Sequence, residues 1–160
     1  MLRVVSGGQT GVDRGALDAA LENAVPCGGW CPEGRMAEDG PVPDSYPVTV
    51  LPGAGYGERT RRNVLDSDGT VIIYFGKPAG GTEATLRFCL EENRPYLLID
   101  ALETGPEQAA ERMLAFARGL EGETLNFAGP RSSASNRAHA YARQAVSLFI
   151  RLYRGAERPG

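Results

Sequence analysis

Lysine, histidine and cysteine are scarce in this chain of 160 residues. Lys77 is the single lysine and His139 the single histidine, so histidine-based acid–base catalysis or metal binding has little to work with. The three cysteines, Cys27, Cys31 and Cys89, are an odd number and lack the paired spacing of a zinc site. The sequence therefore predicts no metal site and favours a reducing cytoplasm.

Long hydrophobic runs and an excess of positive charge are also lacking. No apolar run approaches the length of a membrane-spanning helix. The amino-terminal residues do not resemble a signal peptide, because a polar glycine-rich turn follows Arg3 almost at once. The net charge is −3 and the isoelectric point is about 5.3, which argues against non-specific nucleic-acid binding. We expect neither a membrane nor a nucleic acid as partner.

Apolar strand-like runs alternate with helix-like stretches along the whole chain. Residues 2–5, 25–27, 47–51, 70–75, 94–100 and 124–128 are the predicted strands, about six in number. This alternation predicts a single α/β domain, residues 1–155, with a mostly parallel sheet. Residues 156–160 are predicted to form a loose tail.

A glycine-rich stretch, residues 6–14, follows the first predicted strand and opens the first predicted helix. Strand, glycine turn and helix together favour an anion site, since the first N–H groups of a helix lack intrahelical acceptors and carry positive potential. Gln9, Thr10 and Asp13 add polar side chains to this turn. The stretch has neither the dinucleotide-binding glycine pattern nor the lysine of a phosphate-binding P-loop.

Two further turns, residues 76–82 and 129–133, also follow predicted strands and open helices. Because ligands in parallel α/β sheets bind beyond the carboxyl ends of the strands, the three turns predict one shared crevice. Arg14 and Arg131 lie beside these turns. Several helix N-termini near arginine side chains predict a ligand that carries phosphate or another oxyanion.

Residues 28–47 contain no helical or strand period. Long irregular segments in small domains are usually functional or disordered. This segment contains Trp30, the only tryptophan, together with Arg35, Glu38 and Asp39. Tryptophan is rare in disordered segments, so we expect an ordered lid or wall beside the crevice.

At this point the chain resembles the molybdenum cofactor carrier proteins. Four blocks carry the resemblance, in the same order as in that family. The first is residues 6–17 (SGGQTGVDRGAL) and the second is residues 29–40 (GWCPEGRMAEDG). The third combines Arg59-Thr60, Asn63-Val64 and residues 66–70 (DSDGT), and the fourth is Gly80-Gly81-Thr82. The resemblance implies a Rossmann-like three-layer fold and a homo-oligomer. It also implies reversible binding of molybdenum cofactor, a phosphorylated pterin, with molybdoenzymes as its recipients.

The turns and the resemblance together predict the ligand site. Backbone N–H groups of the glycine turns would hold oxyanions, three arginines would supply charge, and polar side chains would contact the other edges of the ligand. The predicted residues are Gly7, Gly8, Gln9, Thr10, Gly11, Asp13, Arg14, Arg35, Asp39, Asn63, Ser67, Asp68, Gly80, Gly81, Thr82 and Arg131. No catalytic residue is predicted.

Two other functions remain open at this stage. The chain is similar to the Lonely-Guy-type phosphoribohydrolases, which cleave the base from nucleoside monophosphates. In their glycine motif a glutamate stands where this chain has Thr85, and Glu83 is two positions away, on another side of the helix. A nucleotide-sensing domain without turnover is the third possibility.

Overall fold

Five parallel strands form the central sheet of this protein. The computed structural model describes residues 1–157. In chain order the strands are β1 (Arg3–Val5), β2 (Cys27–Gly28), β3 (Trp30–Cys31), β4 (Met36–Ala37), β5 (Gly40–Pro41), β6 (Thr49–Val50), β7 (Gly69–Tyr74), β8 (Tyr96–Asp100) and β9 (Thr124–Ala128). The order in the central sheet is β2-β1-β9-β7-β8, and every pair in it is parallel.

The predicted α/β class and mostly parallel sheet are confirmed, but the central sheet has five strands where about six were predicted. The chain turns out of the sheet at Gly29, which has φ 133°. The next residues form β3, which pairs with β6 in a separate parallel two-stranded sheet. The predicted strand at residues 47–51 therefore lies beside the central sheet, not in it.

Helices cover both faces of the central sheet. They are α1 (Val12–Glu22), α2 (Tyr56–Leu65), α3 (Gly80–Glu91), α4 (Pro106–Arg118) and α5 (Ala138–Glu157). Strand β7 divides its side chains between the two faces, as buried parallel strands do: Val71 and Ile73 belong to the core cluster that includes α1, α4 and α5. Ile72 packs with Val64 of α2 and Cys89 of α3 on the other face. The arrangement is a three-layer sandwich.

Helix α5 is the longest helix, and its stripe of apolar residues packs on α1 and α4. The apolar spacing of the sequence predicts a helix over about residues 135–153, whereas α5 begins at Ala138 and continues to Glu157. Residues 156 and 157 of the predicted tail are therefore helical, and residues 158–160 lie outside the described residues. Within residues 1–157, no helix has both the length and the apolar character needed to cross a membrane.

Candidate functional site

A cavity of about 550 Å³ opens at the carboxyl ends of β1, β9 and β7, within the range of small-molecule sites. It lies on the face of the sheet that α2 and α3 cover. The lining residues are Gly7, Gln9, Asp13, Tyr56, Gly57, Arg59, Thr60, Asn63, Ala79, Gly80, Gly81, Ala84, Thr85, Phe88, Asn126, Phe127, Ala128, Arg131 and Ala134. The cavity thus joins all three glycine-containing turns, although it includes only some residues of each.

Arg59 is a buried cation in the wall of this cavity. Helix α2 begins after Gly55, whose N–H donates to the carboxylate of Glu58 and so caps the helix. Arg59 is only 6% exposed, because its position in α2 faces the sheet. Its Nη1 donates to the carbonyl of Gly7 at 2.5 Å, and its Nε donates to Thr60 Oγ1 at 3.1 Å. A guanidinium has five N–H donors, so further donors remain for a ligand.

Asp13 supplies a buried carboxyl group to the same cavity. The residue is 8% exposed, and its Oδ2 accepts a hydrogen bond from the N–H of Gln9 at 3.2 Å. Burial raises the pKa of Asp13 to about 6, although nearby Arg59 and the amides of Gln9 and Gly7 favour the charged form. The carboxyl group is therefore mostly ionised at neutral pH and neutral in mild acid.

The N-terminus of α3 opens directly into the cavity. Gly80 and Gly81 line it, and nothing lies within 4 Å of where a Cβ would stand at either residue. The next N–H groups, of Thr82 and Glu83, turn back to the carbonyl of Ala79 at 3.0 and 3.3 Å. The first N–H groups of α3 are thus the ones placed to receive an anion.

The N-terminus of α1, in contrast, is covered by protein. Gly11 has φ 85°, and a Cβ there would stand 2.2 Å from the carbonyl oxygen of Pro130. The N–H of Val12 donates to that same carbonyl at 3.1 Å. Thr10 Oγ1 accepts from the N–H of Ser132 at 3.1 Å. Residues 130–132 therefore close this helix end, so Thr10 and Gly11 do not line the cavity.

Arg14 and Asp39 form an ion pair outside the cavity. The guanidinium donates from Nη1 and Nη2 to the Asp39 carboxylate at 2.6 and 2.8 Å, and from Nε to the carbonyl of Gly8 at 3.0 Å. The Arg14 guanidinium holds the pKa of Asp39 below its usual range. This geometry attaches segment 28–47 to α1, and the structure does not bring Gly8, Arg14 or Asp39 to the cavity.

Arg35 organises the segment of residues 42–48 instead of facing the cavity. Its guanidinium donates to four backbone carbonyls, those of Val42, Pro43, Tyr46 and Val48, at distances from 2.9 to 3.1 Å. Backbone carbonyls in an irregular segment need such donors. The segment that was predicted to be an ordered wall owes part of its order to this one side chain.

Glu38 joins three segments beside the cavity. Its carboxylate accepts from the hydroxyls of Thr10 and Ser133 and from the N–H of Ser133, and these bonds lower its pKa. Arg131 Nε lies 3.6 Å from the same carboxylate. Arg131 also lines the cavity, as predicted from its position after β9. Glu38 therefore helps to fix the position of this second cation.

Three more of the predicted polar residues lie away from the ligand space. Thr82 is buried in the first turn of α3 without lining the cavity. Ser67 and Asp68 precede β7, and Asp68 Oδ2 accepts from the N–H of Thr124, the first residue of β9, at 2.9 Å. This is the amino-terminal edge of a parallel sheet, opposite the cavity.

Asn63 lines the cavity, but its amide group is occupied. Its Oδ1 accepts from the N–H of Trp30 at 2.8 Å and its Nδ2 donates to the carbonyl of Trp30 at 3.0 Å. Asn63 thus connects α2 to segment 28–47. Of the sixteen predicted site residues, the structure brings together Gly7, Gln9, Asp13, Asn63, Gly80, Gly81 and Arg131.

Arg59, the most buried cation of the site, is not among the residues predicted from the sequence. Its charge is one of several in α2, and such charges usually form a solvated helix face. The available signal was its spacing of four residues from Asn63, which puts both side chains on one helix face. Other lining residues were also not predicted, because only the packed structure brings them together. They include Tyr56, Thr60, Thr85 and several residues of β9.

Residues 1–157 contain no group of three or more histidine, cysteine, aspartate or glutamate side chains that could hold a metal ion.

Comparisons with known proteins agree with this fold. A crystal structure from Syntrophus aciditrophicus SB, named "Putative molybdenum carrier protein", superposes with a TM-score of 0.90 at 39% sequence identity. The alignment covers 94% of this chain and 95% of that one. No curated protein matches the chain significantly. The model of the Circularly permutated YpsA SLOG family matches residues 4–150, and the chain belongs to that family.

Proposed function

We propose that this protein reversibly binds molybdenum cofactor in the cavity at the carboxyl ends of the sheet and carries it as cargo. The cofactor is a phosphorylated pterin whose molybdenum is chelated by the pterin dithiolene. A carrier of this kind needs an anion site and a polar crevice but no soft metal ligands. The proposal draws on the name of the structural neighbour and on the chemistry of the cavity.

The observation that carries the proposal is a buried guanidinium that faces the same cavity as a glycine-rich helix N-terminus. Arg59 and the first turn of α3 line one continuous space, and Arg131 adds a second cation at its edge. Charge-assisted hydrogen bonds from a guanidinium and helix N–H groups suit phosphate and other oxyanions. The ordered segment 28–47 is attached to α1 and α2 and supports this side of the domain.

The same geometry favours a carrier over a phosphoribohydrolase. Thr85 lines the cavity where the related hydrolases have a glutamate, and its hydroxyl donates to the carbonyl of Gly81 at 3.0 Å. Glu83 is not among the lining residues. With no carboxylate supplied by α3, base cleavage lacks the group expected at that position. A nucleotide-sensing role would use the same cavity and is distinguished by its ligand.

In this proposal the protein acts in the cytoplasm, as a homo-oligomer, and passes the cofactor to molybdoenzymes. Three free thiols, Cys27, Cys31 and Cys89, agree with a reducing compartment. Size-exclusion chromatography with light scattering gives the oligomeric state directly. A monomer at micromolar concentration would contradict that part of the proposal.

The experiment that tests the proposed function is an anaerobic equilibrium titration of the purified protein with molybdenum cofactor, with AMP and GMP titrated in parallel. Saturable cofactor binding with much weaker nucleotide binding is expected. Nucleotide binding without cofactor binding would contradict the carrier function. Release of the free base from AMP or GMP would identify an enzyme instead.

A variant of Arg59 tests the site as well as the ligand. Arg59→Gln removes the buried cation and should weaken cofactor binding ten- to a hundredfold, since a hydrogen bond to a charged group contributes about 1.5–3 kcal/mol. Arg61→Gln is the matched control, because Arg61 lies on the same helix and pairs with Glu92 at the surface. Equal affinities of the two variants would exclude Arg59 as a ligand contact.

A further inference from the structure

Two charged side chains that line the cavity, Asp13 and Arg59, both approach the backbone of Gly7. Arg59 donates to the carbonyl of Gly7, and the Asp13 carboxyl group lies beside the Gly7 amide. Among the ion pairs of residues 1–157, none joins Arg59 to Asp13. Asp13 and Arg59 are therefore neighbours in the cavity that do not use each other's hydrogen-bonding groups.

Both groups keep capacity for a ligand. A carboxylate has about four acceptor sites, and the Asp13 carboxylate serves at most the amides of Gln9 and Gly7. The Arg59 guanidinium uses two of its donors, on Gly7 and Thr60. Both residues are more than nine-tenths buried and both line the cavity. Neither side chain has a fully buried polar atom without a partner, so its unused donors or acceptors are accessible from the cavity.

We propose that Asp13 and Arg59 determine ligand specificity by binding the amide edge of an oxo-amino heterocycle. Asp13 accepts hydrogen bonds from the ring N–H and the adjacent exocyclic amino group. Arg59 donates to the neighbouring ring carbonyl oxygen. A pterin presents this donor–donor–acceptor edge and guanine shares it, whereas adenine has no ring N–H beside a carbonyl. Of the two nucleotides titrated against the cofactor, GMP should therefore bind more tightly than AMP. The inference rests on the proposed function and adds the residues that would recognise the pterin ring.

The charge of Asp13 also sets the orientation of the ligand. An ionised carboxylate repels phosphate, so the anionic end of the ligand belongs at the other end of the cavity. Asp13 follows β1, whereas the N-terminus of α3 follows β7, and β9 lies between these strands. Two strand spacings are about 10 Å. The heterocycle therefore lies against Asp13 and the phosphate points towards Gly80 and Gly81.

The test compares 6-hydroxymethylpterin with 6-hydroxymethyl-lumazine, in which an oxo group replaces the 2-amino group. Neither compound carries phosphate or dithiolene, so the titration reports on the ring alone. The wild-type protein should bind the pterin at least tenfold more tightly, because lumazine directs a carbonyl oxygen at Asp13. Equal affinities, or no binding of either compound, would overturn the inference without any variant.

Asp13→Asn adds a test of the residue itself. Asparagine keeps an acceptor for the N–H of Gln9 and offers a donor to the lumazine oxo group, so the preference should vanish or reverse. Asp18→Asn is the matched control on the same helix, since Asp18 binds Tyr46 and His139 outside the cavity. A folded Asp13→Asn protein that keeps the wild-type preference would refute the assignment.

A parallel anaerobic titration with molybdenum cofactor tests the carrier function separately from the specificity for the ring. If the protein binds the cofactor but does not prefer the pterin over the lumazine, the assignment of Asp13 and Arg59 is refuted and the carrier function stands. If the protein prefers the pterin but does not bind the cofactor, the carrier function is refuted and the recognition of the ring by Asp13 and Arg59 stands.

Discussion

The buried carboxyl group of Asp13 should make the stability of this protein fall as the pH rises from about 4 to about 6. Burial raises the pKa of Asp13 from its ordinary value of 3.8 to about 6 in the folded protein. One pKa unit corresponds to about 1.4 kcal/mol. The difference of about 2.2 between these pKa values therefore corresponds to about 3 kcal/mol of unfolding free energy.

The direction of the effect follows from proton binding. Between pH 4 and 6 the folded protein keeps the proton of Asp13, whereas the unfolded chain has released it. The folded state binds more protons in this window, so its stability decreases with rising pH and stays lower above pH 6. Carboxylates whose pKa is lowered, such as Asp39 and Glu38, act in the opposite direction at lower pH.

A comparison of variants isolates Asp13 from these opposing groups. Urea denaturation of the wild type and of Asp13→Asn, at several values from pH 4 to 7.5, gives the difference in unfolding free energy. That difference should shift by about 3 kcal/mol in favour of Asp13→Asn as the pH rises. Asp39→Asn is the matched control, because Arg14 lowers the pKa of Asp39 and the stabilisation from its carboxylate is complete above about pH 4. Its difference from the wild type should therefore stay constant across this pH range. An Asp13→Asn difference that stays constant within about 1 kcal/mol would refute the assigned burial and charge of Asp13.

Two further predictions concern the segments around the cavity. Arg14→Ala should lower the free energy of unfolding by about 1–3 kcal/mol, because it removes the buried bond to the carbonyl of Gly8 and the half-exposed ion pair with Asp39. Urea denaturation measures this, and an unchanged midpoint would contradict it. Gly11→Ala should cost more than 2 kcal/mol by the same measurement, roughly the sum of backbone strain and steric conflict with Pro130. Its control, Gly53→Ala, has φ 73° but open space around it and should cost only about 1 kcal/mol.

The fold was predictable because its signals are local. Each buried strand is a short apolar run, and each glycine turn at a strand end opens a helix, so alternation alone indicated a parallel α/β sheet. Parallel strands then bring their carboxyl ends together, which is why Gly7, Gly80 and Arg131 were predicted to lie in one crevice and do line one cavity.

The assignment of individual polar side chains was not predictable in the same way. Arg14 and Arg59 are both arginines near the amino end of a helix, yet one forms an ion pair with Asp39 and the other faces the cavity. That choice depends on where segment 28–47 lies, and no local pattern encodes it. The positions of Ser67 and Asp68, in contrast, follow from the topology. Both residues precede β7, so a parallel sheet puts them at the edge opposite the crevice.

The balance of charge in the cavity agrees with the proposed binding of an anion. Arg59, Arg131 and the N-terminus of α3 attract negative charge, whereas Asp13 is the single carboxyl group among the described lining residues. In the proposed orientation, the first N–H groups of α3 stabilise the phosphate and Arg59 donates to the ring carbonyl oxygen. A second anionic group near Asp13 is repelled while that carboxyl is ionised. In the proposed function the cavity would therefore select ligands with a negative end and an N–H-bearing end. A pterin phosphate has this distribution of charge, and inorganic phosphate does not, so phosphate alone should compete weakly for the site.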